Sequence, residues 1–285
     1  MRVASLHIHP LKGGAIHDVA ASRCAPIGME HDRRWMVVDE RGRFLTQREM
    51  PALARIVAEP SEDGIALSFE GRHMPAALDG GRTDVTVWRS TVDAATVRAS
   101  DDAALSEWLG RPVRLVHYDA RSSRPTNPDW SDGTVAFADG YPVLIVTAAS
   151  LDALNDAIVR RGGAPVPMRR FRPNIVIEGA DAWADDGWSS VRIGDVAFDL
   201  VKPCDRCSVT TVDQDRGVRT GDEPLRTLRE IRFSADRRVP GALFGWNAVP
   251  RHAGVVRSGD PVRVLERRSP WPIRGREDAR AALPF

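Results

Sequence analysis

Along the first part of the chain, apolar side chains recur in short runs separated by turn-forming residues. Residues 3–8 alternate in character until Pro10, Gly13 and Gly14 stop the run, which predicts a strand entering a tight loop that carries Lys12. The run from Arg34 to Val38, a glycine-containing polar stretch at 39–43 and the short run 44–46 predict a hairpin. Further strands are expected at 65–69 and 85–88. Ser100, Asp101 and Asp102 open a short helix over 103–109, and Gly110 closes it.

The polar, turn-rich stretch 119–133 divides the chain, as a linker or as a loop ordered by a ligand. Beyond it, an apolar run at 142–146 leads to Thr147. That residue is placed to cap a helix whose Leu151, Leu154 and Ile158 share one face until Gly162 and Gly163. Arg172, Pro173 and Asn174 lead into a strand at 175–177. Residues 191–198 read as a hairpin whose second strand runs into Lys202, Pro203 and Cys204. A helix from Pro224 to Ile231, strands near Leu243 and Val255, a last strand at 262–265 and a polar tail complete the pattern. The expected fold class is therefore α+β and β-rich, with a first domain over 1–120, a second over 121–266 and a tail over 267–285.

Composition narrows the picture. A chain of 285 residues with 42% hydrophobic and 28% charged side chains can bury a sizeable core, as one large domain or two packed ones; two are expected. Forty basic against 39 acidic residues leave a formal charge of +1, so no global field favours nucleic acid or an anionic membrane, and any anion site is local. The opening residues read as a folded strand and not a signal peptide, and no stretch is apolar enough to span a bilayer. Three cysteines, Cys24 alone and Cys204 near Cys207, are too few for a secreted disulfide framework and fit a reducing cytoplasm.

The Cys204-Asp205-Arg206-Cys207 spacing alone fits a redox dithiol, half a zinc site or two unreactive thiols. A tetrahedral zinc site needs a second ligand pair, which Cys24 and the scattered histidines do not offer. A thioredoxin-like dithiol belongs at a helix start, whereas Cys204 follows a hairpin strand. A soft thiolate ligand for a transition metal, with Arg206 near the sulfur, and a buried structural cysteine both stay open. His7 and His9 share a strand face and read as satisfied strand histidines.

The segment from Lys202 to Asp213, followed by Gly217, is similar to the signature of MOSC proteins related to the mitochondrial amidoxime-reducing component. Pro10-Leu11-Lys12-Gly13, Asp32-Arg33-Arg34-Trp35, Asp139-Gly140-Tyr141-Pro142 and Phe171-Arg172-Pro173-Asn174 resemble further elements of that family, in order, over residues 1 to about 266. The resemblance implies a MOSC β-barrel domain packed with an N-terminal MOSC-associated β-rich domain, and a molybdenum-pterin cofactor between them. It makes Cys207 the thiolate on the metal and leaves Cys204 unassigned. Lys12, Gly13, Arg33, Gly140, Tyr141, Arg172 and Asn174 become cofactor contacts, with Gly13 replacing a serine and contributing backbone only. Asp139 becomes an acid/base candidate.

The implied activity is reduction of N-hydroxylated compounds such as amidoximes, hydroxylamines or N-hydroxylated bases. Neither a dinucleotide fingerprint nor a second cysteine cluster occurs in the sequence. Electrons are therefore expected from a separate protein of reductase, ferredoxin or cytochrome type. The alternative is a carrier of cofactor or sulfur, because the C-terminal part of molybdenum-cofactor sulfurases is also similar.

Overall fold

In a computed structural model of the protein, which describes residues 1–274, strands predominate. In chain order they are β1 (Arg2–Ile8), β2 (His17–Val19), β3 (Ala21–Ala25), β4 (Gly28–Met29), β5 (Trp35–Val38), β6 (Val57–Ser61), β7 (Gly64–Phe69), β8 (Arg72–Val87) and β9 (Ser90–Val97). Helix α1 (Ala99–Leu109) precedes β10 (Arg114–His117). After a long coil come β11 (Val143–Thr147), α2 (Ala148–Arg160), β12 (Ile175–Glu178), β13 (Trp188–Ile193) and β14 (Val196–Asp205). The short pair β15 (Val212–Asp213) and β16 (Val218–Arg219), helix α3 (Leu225–Ile231), and β17 (Leu243–Pro250), β18 (Gly254–Arg257) and β19 (Val262–Arg267) follow.

Two large sheets organise these elements. One has the order β19-β13-β14-β17-β11-β12-β1-β2, the other β5-β10-β9-β8-β7-β6. A small sheet, β18-β3-β4, joins residues of both halves. Within the larger sheet β11 and β12 run parallel, and α2 is the crossover that such a pair requires. The Thr147 side chain caps α2 by accepting the Ser150 N–H at 3.3 Å, and Leu154 and Ile158 bury their shared face near Phe171, Leu228 and Phe244.

The two sheets do not divide the sequence at residue 120. Strand β1 pairs antiparallel with β12, placing Leu6 opposite Ile175, because its inward residues Val3, Leu6 and Ile8 join the core of Trp188, Phe198 and Trp246. Strands β5 to β10 build the six-stranded sheet over a separate core that includes Leu53, Leu67 and Leu115. Strand β8 is far longer than the expected 85–88, and β9 was not anticipated; the two pair along most of their length. Residues 44–46 touch β5 through the single bridge Val38–Phe44 and form no strand.

The stretch from residue 268 onward, expected as polar tail, departs from that reading as far as Arg274. Trp271 is buried, packs edge-on against Trp246 and donates its indole N–H to Ser234 Oγ at 3.0 Å. An aromatic of this size buries too much apolar area to stay in a solvated tail. The rest of the expected tail, residues 275–285, lies outside the described residues. No helix among the described residues is long and apolar enough to cross a membrane.

Trp271→Ala is expected to destabilise the protein by about 3 kcal/mol, since it empties a packed site and removes the indole hydrogen bond to Ser234. Urea unfolding of wild type and variant measures this.

Candidate functional site

The turn after β1 carries first-half residues onto second-half ones. At Leu11 the chain runs beside Trp35 of β5, and the Lys12 N–H donates to the Trp35 carbonyl at 2.7 Å. Gly13 has a φ of +79°, where any L side chain is strained, so the serine of the family pattern is absent from a left-handed position. At Gly14 an added Cβ would lie 2.8 Å from Leu11 Cβ. The backbone of this turn is used directly: Gln47 Nε2 donates to the Gly13 carbonyl and Arg172 Nη1 to the Gly14 carbonyl, both at 2.7 Å.

Beside this turn, where the halves meet, lies a cleft with about 900 Å³ of empty space continuous with solvent. Lys12, Gly13, Arg33, Asp139, Gly140, Tyr141, Arg172, Asn174 and Cys207, the residues expected at the site, all line it. Five cationic side chains (Lys12, Arg33, Arg48, Arg172 and Arg206) face two carboxylates there, Asp139 and Asp205. The surplus is positive and local, within a chain that is nearly neutral overall.

Arg33 and Arg172 both sit in left-handed backbone, with φ of 50° and 53°. Such positions persist in a non-glycine residue only when the surroundings hold them. Arg33 is held by Asp32 Oδ2 at 2.5 Å, by Asn174 Oδ1 at 3.1 Å and by the Arg172 carbonyl at 3.1 Å. Burial favours the neutral acid at Asp32, but the Arg33 charge and the His9 hydrogen bond outweigh it and hold the carboxyl well below the usual range. Burial also drives His9 far below an ordinary imidazole, so this ring is neutral. His7 bonds Asp18 and Ser5, as expected of a satisfied strand residue, whereas His9 lies just beyond β1 and its buried Nε2 has no partner.

Asn174 is fully buried and supports this network more than it faces a ligand. Its Oδ1 accepts from Arg33 and from the Leu144 N–H, and its Nδ2 donates to the His7 carbonyl, leaving one amide N–H. Arg172 is also buried, and burial together with the charge of Arg33 pushes its guanidinium down to about 9. Its Nη1 is shared between the Gly14 carbonyl and Gln214 Oε1, but its buried Nη2 has no partner. The hydroxyl of Tyr141 is likewise buried without a partner, and burial raises it to about 12. Unmet donors in a cationic cleft fit a ligand with anionic and acceptor atoms. Gly140 leaves its Cβ direction open.

Asp139 accepts from Lys12 Nζ at 2.5 Å, although two-thirds of its side chain is exposed. Desolvation in the cleft works to raise its carboxyl, but the Lys12 charge and hydrogen bond hold it well below the usual range. Burial lowers Lys12 in turn, against the opposing pull of Asp139. As arranged, Asp139 is the ion-pair partner of Lys12 at the cleft.

The sulfurs stand at the end of β14. Arg206 Nη1 donates to Cys204 Sγ at 2.8 Å, while burial raises that thiol despite the nearby guanidinium. The cation beside Cys207 is Arg48, whose Nη1 lies 3.5 Å from Sγ. Sequence reading passed over Arg48 and over the buried Gln47, which exchanges hydrogen bonds of 3.0 and 2.9 Å with Gln214 of the loop after the sulfurs. Their importance comes from partners up to 167 residues away, so no local pattern marks them.

A β-rich fold with a cleft between a barrel-like first unit and a larger curled sheet defines the class, and the chain belongs to the MOSC family. Residues 132–263 match the MOSC domain and residues 1–113 the MOSC N-terminal beta barrel domain. Within that family it is similar to mitochondrial amidoxime-reducing component 1 of Danio rerio, 32% identical over 91% of this chain and 83% of the relative. The Homo sapiens counterpart is 33% identical over 92% and 82%. Mitochondrial amidoxime reducing component 2 of Rattus norvegicus is 30% identical over 91% and 82%.

Asp32→Asn is expected to cost about 3 kcal/mol at pH 7, because it leaves Arg33 buried beside a neutral amide. Since the folded carboxyl is depressed, its contribution is complete above the unfolded value near 4 and fades as pH falls below it. Unfolding curves of both proteins at pH 7 and pH 3 should therefore show a deficit that shrinks at the lower pH.

Proposed function

We propose that the protein is a molybdenum-pterin enzyme that reduces N-hydroxylated compounds (amidoximes, hydroxylamines or N-hydroxylated bases) with electrons from a separate donor protein. The observation that carries this reading is the meeting, in one cationic cleft, of Cys207 with the unpartnered Arg172 Nη2 and Tyr141 hydroxyl. Cys207 is the thiolate that the family resemblance assigns to the metal. The reaction class is taken from relatives named amidoxime-reducing components.

The residues present fit the group. Lys12, Arg33 and Arg172 offer charge-assisted donors to a phosphate, the unpartnered Arg172 Nη2 and Tyr141 hydroxyl want acceptors, and the Gly13 turn brings backbone close to the cleft. Asn174 holds Arg33 in place. When bound, the cofactor supplies two-electron chemistry, so that an N–O bond is cleaved with two electrons and two protons and the oxygen leaves as water. The chain orients substrate beside Cys207, and protons reach the open cleft from solvent, since Lys12 keeps Asp139 ionised. The electron donor is of reductase, ferredoxin or cytochrome type.

Protein made in a host competent for molybdenum-cofactor synthesis should contain near-stoichiometric molybdenum and pterin, by elemental analysis and pterin fluorescence. It should also reduce an amidoxime with an artificial electron donor. Cys207→Ala should lose the metal and activity, Cys204→Ser should keep most of both, and Arg172→Ala should lower cofactor retention about tenfold or more, as for a lost charged hydrogen bond. Well-folded wild type without molybdenum or pterin would overturn the reading.

A further inference from the structure

Arg48, which lines the cleft, meets Trp88 just outside it in a contact that the reaction above leaves without a role. Trp88 turns the β8–β9 hairpin with a φ of +57°, and its side chain is 46% exposed. Left-handed hairpin turns favour glycine, asparagine or aspartate, so a large aromatic here is held against local preference. Strain of this kind, once observed, points to a use.

Three contacts fix the ring. The Arg48 guanidinium lies over it, 4.7 Å from the ring centroid, and Phe44 packs at 5.1 Å and 57°. The indole N–H donates to Asp139 Oδ1 at 3.3 Å, the same oxygen that Lys12 Nζ binds. Arg48 spans from this ring to Cys207 Sγ and, among the described residues, makes no ion pair with a carboxylate. A flat cation thus stands between an exposed indole and the candidate metal ligand.

We propose that Arg48 and Trp88 form the substrate-facing wall of the cleft and select planar, conjugated N-hydroxylated compounds, an inference that rests on the reductase reading above. A guanidinium has two flat faces and an edge of N–H donors. One face of Arg48 rests on the indole, and no second ring covers the guanidinium among the described residues. A conjugated substrate stacks against this wall while the N–H edge meets its oxygen. Asp139, anchored by Lys12, sets the angle of the indole and through it the plane of Arg48.

Calorimetric titration of the protein purified with its cofactor tests this, using benzamidoxime as the planar probe and acetamidoxime as the ringless one. Trp88→Ala and Arg48→Lys, which keeps the charge but loses the plane, should each weaken benzamidoxime about tenfold, the order of one lost aromatic stack. Acetamidoxime should change less than twofold, and Trp88→Phe should stay within threefold of wild type for both probes. In turnover assays the benzamidoxime loss should fall on KM. Equal losses for both probes, wild-type binding of benzamidoxime by Arg48→Lys, or no binding of either probe by wild type would overturn the proposal. Selective binding without turnover would support the wall and remove the reductase reading.

Discussion

The ion pair of Asp32 and Arg33 is the interaction on which the cleft depends. Both side chains are largely shielded from water, and either one alone would be an unmatched charge between two cores. Asp32 also accepts the His9 N–H at 2.8 Å, so one carboxylate fixes both the turn after β1 and the guanidinium beside it. Arg33 then reaches Asn174 and the Arg172 carbonyl, 141 and 139 residues further along the chain. A single buried charge thereby sets the spacing of the two motifs that carry the candidate cofactor contacts.

The price of that arrangement is an electrostatic surplus. Burial disfavours the charge of Arg172, and the nearby Arg33 guanidinium adds to this. A fold selected for stability alone would have little reason to place five cations around one cleft. The arrangement is understandable if an anion completes it, because the ligand then supplies both the missing charge and the missing acceptor. The left-handed backbone at Arg33 and Arg172 points the same way, since strain gathers where a structure holds side chains for a task.

Features governed by neighbours in sequence were legible before the structure. The alternation of residues 3–8, the Thr147 cap and the hairpin leading into Cys204 are set by local geometry, and they appear as elements near the expected positions. The motif residues gather in one cleft because a family pattern already encodes long-range pairing that propensity does not. What stayed hidden was long-range and specific to this chain. Nothing in β1 reveals that it pairs with β12, and nothing near Gln47 announces Gln214. Trp271 was misjudged for a related reason: the prolines beside it and the charged residues around them mark no element, but its packing partners are Trp246 and Trp130.

The position of the cleft also ties ligand occupancy to the packing of the two halves. Lys12, Arg33 and Arg48 come from the first 50 residues, whereas Arg172 and Cys207 come from the second half, and the Gln47–Gln214 and Arg172–Gly14 bonds already cross between them. A ligand that engages both sides binds the native arrangement and not the separated halves, so its binding free energy adds to the stability of that arrangement. The like charges facing one another across the cleft act in the opposite sense. An anionic cofactor would therefore be a structural component of this protein as well as its reactive group, and removing any one of its cationic contacts would be felt on both sides of the cleft.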